Sequence, residues 1–249
     1  MKVLITGASS GIGRSLAKVL SEQGHDLILV ARRRKKLESL AKELNTKVEI
    51  IDMDISSTYN CMDLYNKVKK EKIDVLINNA GFGLFGKFDD TKIDKELDMI
   101  DLNIKTVHTL TKLFLKDFKK RDSGYILNVA SVAGFMPGPL MSTYYATKSY
   151  VLNLTLAINQ ELKEDCSNVY LGALCPGPVD TEFNDVAKVK FALDGLSSDY
   201  VAEYAVKKMF KNRKVIIPGK IVKTGVYLSK MLPLSLKLKY VYKIQKKKA

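Results

Sequence analysis

The chain has 249 residues, with 41 Lys and Arg, 27 Asp and Glu, and 46% hydrophobic residues. This length suits one large α/β domain and is too short for two full enzyme domains. The hydrophobic content, with 12 Tyr and nine Phe, excludes a disordered or low-complexity chain. Three cysteines without a CxxC pair argue against a disulfide framework. Two histidines, His25 and His108, cannot build a zinc site of the usual spacing without carboxylates, so we expect no metal.

The excess positive charge lies at the C-terminus. Residues 204–249 contain 14 Lys and Arg and no Asp or Glu, which leaves 27 basic and 27 acidic residues in residues 1–203. A neutral body with a basic tail argues against a nucleic-acid-binding protein, whose basic charge is usually spread over a binding face. The N-terminus lacks a signal-peptide pattern, and no apolar run reaches the roughly 18 residues that a membrane span needs. We therefore expect a cytoplasmic protein.

Short apolar runs alternate with longer runs of helical period, which is typical of a parallel sheet covered by helices. Strands are predicted at residues 3–6, 26–31, 47–51, 74–78, 124–130, 168–175 and 214–217. Helices are predicted at residues 11–24, 34–44, 56–70, 94–121 and 143–164. The pattern predicts an α/β fold with a single doubly wound parallel sheet and helices on both faces. We assign residues 1–219 to this domain and residues 220–249 to a basic C-terminal extension.

A glycine-rich turn joins the first predicted strand to the first predicted helix. Glycine allows a tight turn and a close approach of backbone to phosphate, and a helix N-terminus offers free N–H groups. The turn, with the spacing G-x3-G-x-G, contains Gly7, Ser9, Ser10, Gly11, Ile12 and Gly13. We expect it to hold the pyrophosphate of a dinucleotide. The alternative is a turn with a purely structural role.

The end of the second predicted strand indicates which dinucleotide. Sites that select NAD usually place Asp or Glu there to bind the ribose 2′-hydroxyl, whereas this chain has Arg32 and Arg33 after Ala31. A guanidinium binds a 2′-phosphate through charge-assisted hydrogen bonds. The sequence therefore predicts NADP(H), and the alternative is a solvated basic start to the second helix.

Six motifs follow one another along the chain. They are TGASSGIG at 6–13, NNAG at 78–81, Asn103, Ser131, YYATK at 144–148 and PGPVDT at 176–181. In order and spacing they resemble the classical short-chain dehydrogenase/reductase (SDR) family, over roughly residues 1–185. The resemblance implies a Rossmann fold. The long C-terminal extension is similar to the NADP-preferring branch of carbonyl and hydroxysteroid-type reductases.

The resemblance also implies roles for individual residues. Asp54 and Ile55 would lie at the adenine, Asn79 beside the adenosine ribose, and Val179 near the nicotinamide amide. Further cofactor contacts are implied for Ala80, Gly81, Tyr144, Lys148, Pro176, Gly177 and Thr181. The catalytic residues would be Asn103, Ser131, Tyr144 and Lys148.

The residue types at the expected catalytic positions suit the transfer of a proton. A free tyrosine has a pKa near 10, and the ammonium of Lys148, one helical turn after Tyr144, is predicted to lower it. Ser131 would orient the oxygen of the substrate. By the resemblance, Asn103 would help to hold a water that links the lysine to solvent. Tyr145 points elsewhere around the helix and is predicted to pack.

These residues predict an NADP(H)-dependent oxidoreductase that acts on a hydrophobic carbonyl or alcohol, as a homodimer or another homo-oligomer. The alternative is a catalytically silent NADP-binding sensor or scaffold on the same fold. Apolar side chains are expected to line the substrate pocket, with some of them belonging to the core or a lid. They are Phe82, Leu84, Phe85, Phe88, Phe135, Met136, Leu140, Met141 and Phe183.

The basic tail has two possible periodicities. As a helix, it would place Leu234, Leu238 and Val241 opposite Lys239, Lys243 and Lys246. The apolar residues between 234 and 242 also alternate as in a strand. We expect the helix, which would lie on an anionic membrane or pack against the body or a second subunit.

Overall fold

Strands and helices alternate along the chain in the computed structural model, which describes residues 1–187 and 195–247. The strands are β1 (Lys2–Thr6), β2 (Asp26–Ala31), β3 (Val48–Asp52), β4 (Val75–Asn78), β5 (Tyr125–Val129), β6 (Tyr170–Leu174), β7 (Val179–Asp180), β8 (Leu196–Ser197) and β9 (Val215–Ile216). The helices are α1 (Gly11–Glu22), α2 (Arg34–Ala41), α3 (Thr58–Val68), α4 (Ile93–Ile100), α5 (Val107–Lys120), α6 (Ser142–Glu164), α7 (Phe183–Ala187), α8 (Ser198–Met209), α9 (Lys220–Met231) and α10 (Leu234–Lys246). A π-helical segment (Asp101–Thr106) precedes α5, and a 3-10 segment (Val132–Phe135) precedes α6.

The central sheet is parallel and has the strand order β3-β2-β1-β4-β5-β6-β9. Val3 of β1 lies opposite Leu27 of β2 on one side and opposite Val75 of β4 on the other. The order of the strands reverses between β1 and β4, and such a reversal leaves a crevice outside the carboxyl ends of the strands. The predicted doubly wound parallel sheet is confirmed, and β7 and β8 pair separately in a two-stranded sheet.

Helices cover both faces of this sheet. Successive side chains of a strand point to opposite faces. Ile5 therefore joins the apolar cluster formed with α1, α2 and α8, and Leu4 joins the cluster formed with α3, α5 and α6. Both side chains are fully buried. Because helices cover both faces of the sheet, the sequence of each predicted strand is almost wholly apolar.

The structure differs from the predicted elements in several places near the crevice. The helix predicted at 94–121 is divided by the π-helical segment Asp101–Thr106. This segment contains Asn103, whose side chain bonds to the backbone of Phe82 and so fixes the widened turn. The predicted elements also omit α8, although Ser197 caps that helix by accepting a hydrogen bond from the Tyr200 N–H at 3.2 Å.

The C-terminal segment forms two helices, α9 and α10, and no strand. Val226 of α9 and Val241 of α10 are buried against the body. Leu234 begins α10 and is 60% exposed, whereas Val241, which the helical period places on the same face, is buried. Among the described residues, no helix combines the length and the hydropathy that crossing a membrane requires.

Candidate active site

A cleft of about 860 Å³ opens outside the carboxyl ends of the strands, where the strand order reverses. The cleft is lined by the glycine turn after β1 and by the residues that follow β2, β3, β4, β5 and β6. All the predicted site residues line it except Gly13 and Asn103. These two residues stand behind its wall, in contact with residues that do line it.

The glycine turn is held tightly between α1 and the loop after β4. Gly7 has a φ of +67°, and its N–H donates to the Val30 carbonyl at 2.8 Å. A Cβ at Gly13 would lie 2.4 Å from the carbonyl oxygen of Gly7 and 2.4 Å from the side-chain nitrogen of Asn79. The Asn79 amide donates to the carbonyls of Thr6 (3.0 Å) and Gly7 (3.1 Å). The turn thus presents bare backbone to the cleft, the surface that a pyrophosphate needs.

Arg33 lies above this turn at the end of β2. Its guanidinium donates to the hydroxyls of Ser9 (3.0 Å) and Ser10 (2.8 Å) and to the carboxylate of Glu182 (2.8 Å). Lys36 contacts the same carboxylate. Hydrogen bonds from Lys36 and Arg33 lower the pKa of Glu182 to about 2. The carboxylate therefore stays ionised, and it accepts from the two cations as a phosphate would.

The expected adenine side of the cleft holds Arg32, Asp54 and Ile55. Arg32 is well exposed, and its guanidinium lies 3.7 Å from the Asp54 carboxylate. Ile55 is buried, and its carbonyl accepts a hydrogen bond from the hydroxyl of Thr106. Of the two arginines, it is therefore Arg33 that points toward the glycine turn.

Ser131, Tyr144 and Lys148 converge on the opposite side of the cleft. Lys148 is 6% exposed, and its ammonium donates to the carbonyl of Val129 at 2.8 Å. The same ammonium lies 5.9 Å from the centre of the Tyr144 ring. Ser131 follows β5, and its hydroxyl accepts from the Ala133 N–H at 3.1 Å. Local spacing brings Tyr144 and Lys148 onto one face of α6, and the sheet brings Ser131 to them.

The pKa values of this group differ from the expected ones. Burial raises the pKa of the Tyr144 hydroxyl above its usual range, and the neighbouring Ser131 opposes that effect. Burial also lowers the pKa of Lys148 to about 8. The predicted lowering of the Tyr144 pKa is therefore wrong for this structure. The cause is the low-dielectric surrounding, which disfavours the charged form of both groups.

Asn103 supports the cleft from behind. Its amide donates to the Phe82 carbonyl (2.9 Å) and to the Thr147 hydroxyl (3.1 Å), and its oxygen accepts from the Phe82 N–H (3.1 Å). Thr147 in turn donates to the Tyr144 carbonyl at 2.8 Å. The side chain of Asn103 thus ties the loop after β4 to α6. Its part in a water-mediated relay stays a prediction.

The predicted apolar pocket residues divide into groups. Phe82, Leu84, Met141 and Phe183 line the cleft, and the Phe183 ring centre lies 5.4 Å from that of Tyr144. Phe88 does not line it and is 68% exposed. Phe135 and Met136 line a second cavity, of about 790 Å³, on the outer side of α6, while Phe85 packs beside the cleft and Leu140 lies outside both linings.

The C-terminal helix α10 contributes to the cleft, which the sequence did not predict. Ile244 lines the cleft, and the buried amide of Gln245 donates to the hydroxyl of Tyr145. A glutamine among lysines gave no signal of such a contact. Glu182, as the partner of Arg33, was missed as well, because the two are separated by 149 positions in the chain.

Comparison with known proteins identifies the same group of proteins by three routes. A family model described as short chain dehydrogenase matches residues 1–190. An uncharacterized oxidoreductase of Staphylococcus epidermidis is 37% identical over 185 residues, which are 73% of this chain and 79% of that protein.

Two solved structures extend the similarity to most of the chain. A short-chain dehydrogenase from Sphingobium yanoikuyae in complex with NADPH has a TM-score of 0.82 and 31% identity, over 92% of this chain and 94% of that one. A bulky-bulky ketone specific alcohol dehydrogenase from Comamonas testosteroni has a TM-score of 0.79 and 27% identity, over 92% and 91% of the two chains.

Gly13→Ala tests the fit of the glycine turn. The added Cβ would meet backbone at 2.4 Å, so we expect a loss of about 1–3 kcal/mol in the free energy of unfolding and a strongly weakened affinity for NADPH. Gly225→Ala is the control, because nothing lies within 4 Å of its Cβ position and alanine favours a helix by about 1 kcal/mol. Urea unfolding and fluorescence titration measure both effects, and equal behaviour of the two variants would contradict the assigned turn.

Proposed function

The chain belongs to the short-chain dehydrogenase family, and from this membership we propose that it is an NADP(H)-dependent oxidoreductase that interconverts a hydrophobic carbonyl compound and its alcohol. The observation that carries the proposal is the convergence of Ser131, Tyr144 and Lys148 in an apolar cleft that begins at a glycine turn. A silent nucleotide-binding scaffold would have no need of a buried lysine at this place, since burial of an ammonium is costly.

The cleft fits a nicotinamide dinucleotide. The bare backbone of Gly7, the amide of Asn79 that braces it, and the N-terminus of α1 would hold the pyrophosphate. Val179 and Thr181, which line the other end of the cleft, would border the nicotinamide. The bound dinucleotide supplies or accepts the hydride. All remaining steps fall to side chains of the protein.

Tyr144 is the proposed general acid and base. Its hydroxyl protonates the oxygen of the carbonyl substrate during reduction, and takes the proton back during oxidation of the alcohol. Burial keeps the phenol protonated in this structure, which is the form that reduction requires. A positive charge near the ring favours the phenolate that is left after proton transfer, and the Lys148 ammonium is 5.9 Å from the ring centre.

Ser131 positions the substrate oxygen in this proposal. Its hydroxyl accepts from the Ala133 N–H at 3.1 Å and donates to the Pro176 carbonyl at 3.4 Å. When substrate binds, this proton would turn from the Pro176 carbonyl to the substrate oxygen, which gains negative charge during reduction. Asn103 acts as a positioning residue, because its bonds hold the Phe82 loop against Thr147.

The preference for NADP(H) over NAD(H) rests on Arg33. The guanidinium already accommodates a carboxylate oxygen from Glu182 and two serine hydroxyls, and a 2′-phosphate offers the same kind of acceptor with more charge. Binding of the phosphate would displace Glu182 from Arg33 and Lys36. The similar dehydrogenase from Sphingobium yanoikuyae, whose structure contains NADPH, supports this preference.

The proposed substrate is apolar and bulky around its carbonyl carbon. Phe82, Leu84, Met141 and Phe183 supply an apolar wall next to Tyr144. Apolar pockets with a few fixed polar groups select hydrophobic ligands. The similar Comamonas testosteroni enzyme, described as specific for bulky-bulky ketones, agrees with this class.

Tyr144→Phe tests the assigned acid and base. Removal of the hydroxyl takes away the proton donor, so we expect turnover of hydrophobic ketones to fall by at least about 100-fold while the Kd for NADPH is retained. Tyr145→Phe is the matched comparison, because it removes the adjacent hydroxyl, which contacts Gln245 instead of Ser131. It should keep most of its turnover. Activity retained in Tyr144→Phe, or lost equally in both variants, would refute the assignment.

Arg33→Ala tests the choice of cofactor. Loss of the guanidinium should raise the Kd for NADPH by at least about tenfold and leave the Kd for NADH nearly unchanged, because a charge-assisted hydrogen bond contributes about 1.5–3 kcal/mol. Arg34→Ala is the control, since Arg34 pairs with Glu38 and Asp52 on the outside of α2. If Arg33→Ala weakened the affinity for both cofactors to a similar extent, the residue would not bind the 2′-phosphate.

A further inference from the structure

The outer face of α9 is apolar although the helix already has an apolar inner face. Val222 and Val226 pack inward, Val222 against the position of Gly177. On the opposite side, Ile221 is 88% exposed and Leu228, seven residues later, is 59% exposed. Residues seven apart lie on one side of a helix. Packing of the monomer therefore does not account for this second apolar face.

The outer face of α10 is cationic. Lys239, Lys243 and Lys247 follow one another at four-residue spacing, and all three are exposed. Leu236 (54% exposed) and Tyr240 (64% exposed) lie on the same side. The inner face of α10 is held by the buried Val241 and Gln245, so the lysines point away from the body. The exposed side chains of the two tail helices, namely these five of α10 together with Ile221, Leu228 and Met231 of α9, are termed the outward tail surface.

The positive charge of the outward tail surface is not neutralised within the protein. The tail, residues 204–249, has no acidic residue, and the body of the chain has a net charge of zero. Among residues 1–187 and 195–247, the ion pairs involve none of the lysines between 220 and 247. The expected partner is therefore anionic, and the exposed apolar side chains of the two helices, including Leu236 and Tyr240 on the lysine side of α10, require that it also offers apolar material.

We propose that the outward tail surface binds the surface of an anionic phospholipid bilayer. Lipid headgroups would pair with the lysines of α10, and the apolar side chains of α9 would enter the boundary of the acyl chains. A surface helix of this composition lies in the interface and does not cross it. Each lysine near an anionic membrane strengthens binding by about fivefold, and salt weakens this attraction.

Two other partners fit the surface less well. A second copy of the chain would bring like charges of the two tails together, and the repulsion would oppose pairing through this face. A nucleic acid would neutralise the lysines but would leave Ile221, Leu228 and Met231 exposed to water. A bilayer satisfies both the charge and the apolar side chains.

The outward tail surface and the cleft share α10. Ile244 of that helix lines the cleft, and Gln245 bonds to Tyr145, so a tail fixed on a membrane holds the mouth of the cleft beside the lipid. This step rests on the proposed function. It assigns to the enzyme a hydrophobic carbonyl substrate that is dissolved in the bilayer and reaches the cleft without crossing bulk water.

Sedimentation with vesicles tests the binding itself. We expect the full-length protein to sediment with vesicles of phosphatidylcholine and phosphatidylglycerol, to stay in solution with phosphatidylcholine alone, and to be released in part by salt. Lys239→Glu with Lys243→Glu should weaken this binding by at least about tenfold. Lys70→Glu with Lys72→Glu is the matched control, since these exposed lysines precede β4 at the edge of the sheet opposite the cleft. No binding, or equal loss in both pairs, would overturn the proposal.

A second pair of variants separates lipid from the other partners. Ile221→Ser with Leu228→Ser should abolish the part of vesicle binding that persists at high salt, whereas Tyr59→Ser with Met62→Ser, on the exposed side of α3, should not. Thermal unfolding checks that each variant keeps the fold. Duplex DNA binding stronger than vesicle binding would assign the surface to nucleic acid. Dissociation of an oligomer by the first pair, with vesicle binding intact, would assign it to a second copy.

The binding test does not depend on catalysis. Vesicle binding is measured without substrate, and turnover of a water-soluble ketone is measured without vesicles. If the protein binds vesicles but reduces no ketone, the proposed function fails and the membrane surface stands. If the protein reduces ketones but does not bind anionic vesicles, only the proposal of membrane binding by the outward tail surface fails.

Discussion

A lysine ammonium buried beside a tyrosine ring is the interaction on which the rest of the site depends. Lys148 is 6% exposed and has the Val129 carbonyl as its hydrogen-bond acceptor at 2.8 Å. Burial without an ionised partner costs free energy, and the pKa of about 8 expresses that cost. A folded protein tolerates such a cost where function requires a charge at a site that is shielded from water. In the proposed reaction, the ammonium stabilises the phenolate that Tyr144 becomes after it has given up its proton.

The active-site cleft is formed at the carboxyl ends of the parallel strands. β1 and β4 carry the glycine turn and the Asn79 brace, β2 carries Arg33, and β5 carries Ser131, so one edge of the sheet collects residues that are far apart in the chain. Helix α6 brings Tyr144 and Lys148 to the same edge at four-residue spacing. The rigid core beneath fixes these positions, since both faces of the sheet are buried. Helix α10 then adds Ile244 to the lining of the cleft, and in the proposed role the C-terminal helices join the cleft to a membrane.

Local patterns predicted most of this arrangement, and long-range contacts account for what they missed. Apolar runs, the glycine turn and the spacing of Tyr144 to Lys148 are signals within a few residues. The alternation of strands and helices predicts the doubly wound parallel sheet, although not the order of its strands. The contact of Arg33 with Glu182 joins distant segments and has no local pattern. The π-helical turn at Asn103 likewise depends on bonds to the Phe82 loop. The direction of the Tyr144 pKa could not be predicted because it depends on burial, which the sequence does not give.

The role of the buried Lys148 ammonium is best tested with the variant Lys148→Met. Its thermal stability and its turnover are measured together from pH 7 upward. The folded pKa of about 8 lies below the ordinary value of 10.5, so the buried lysine destabilises the fold at pH 7, and this penalty fades as pH rises toward 10.5. Methionine removes the charge and keeps the length of the side chain. We expect a higher Tm for the variant at pH 7, a gain in Tm that shrinks with rising pH, and loss of ketone reduction. A lower Tm at pH 7, or turnover that survives the substitution, would contradict it.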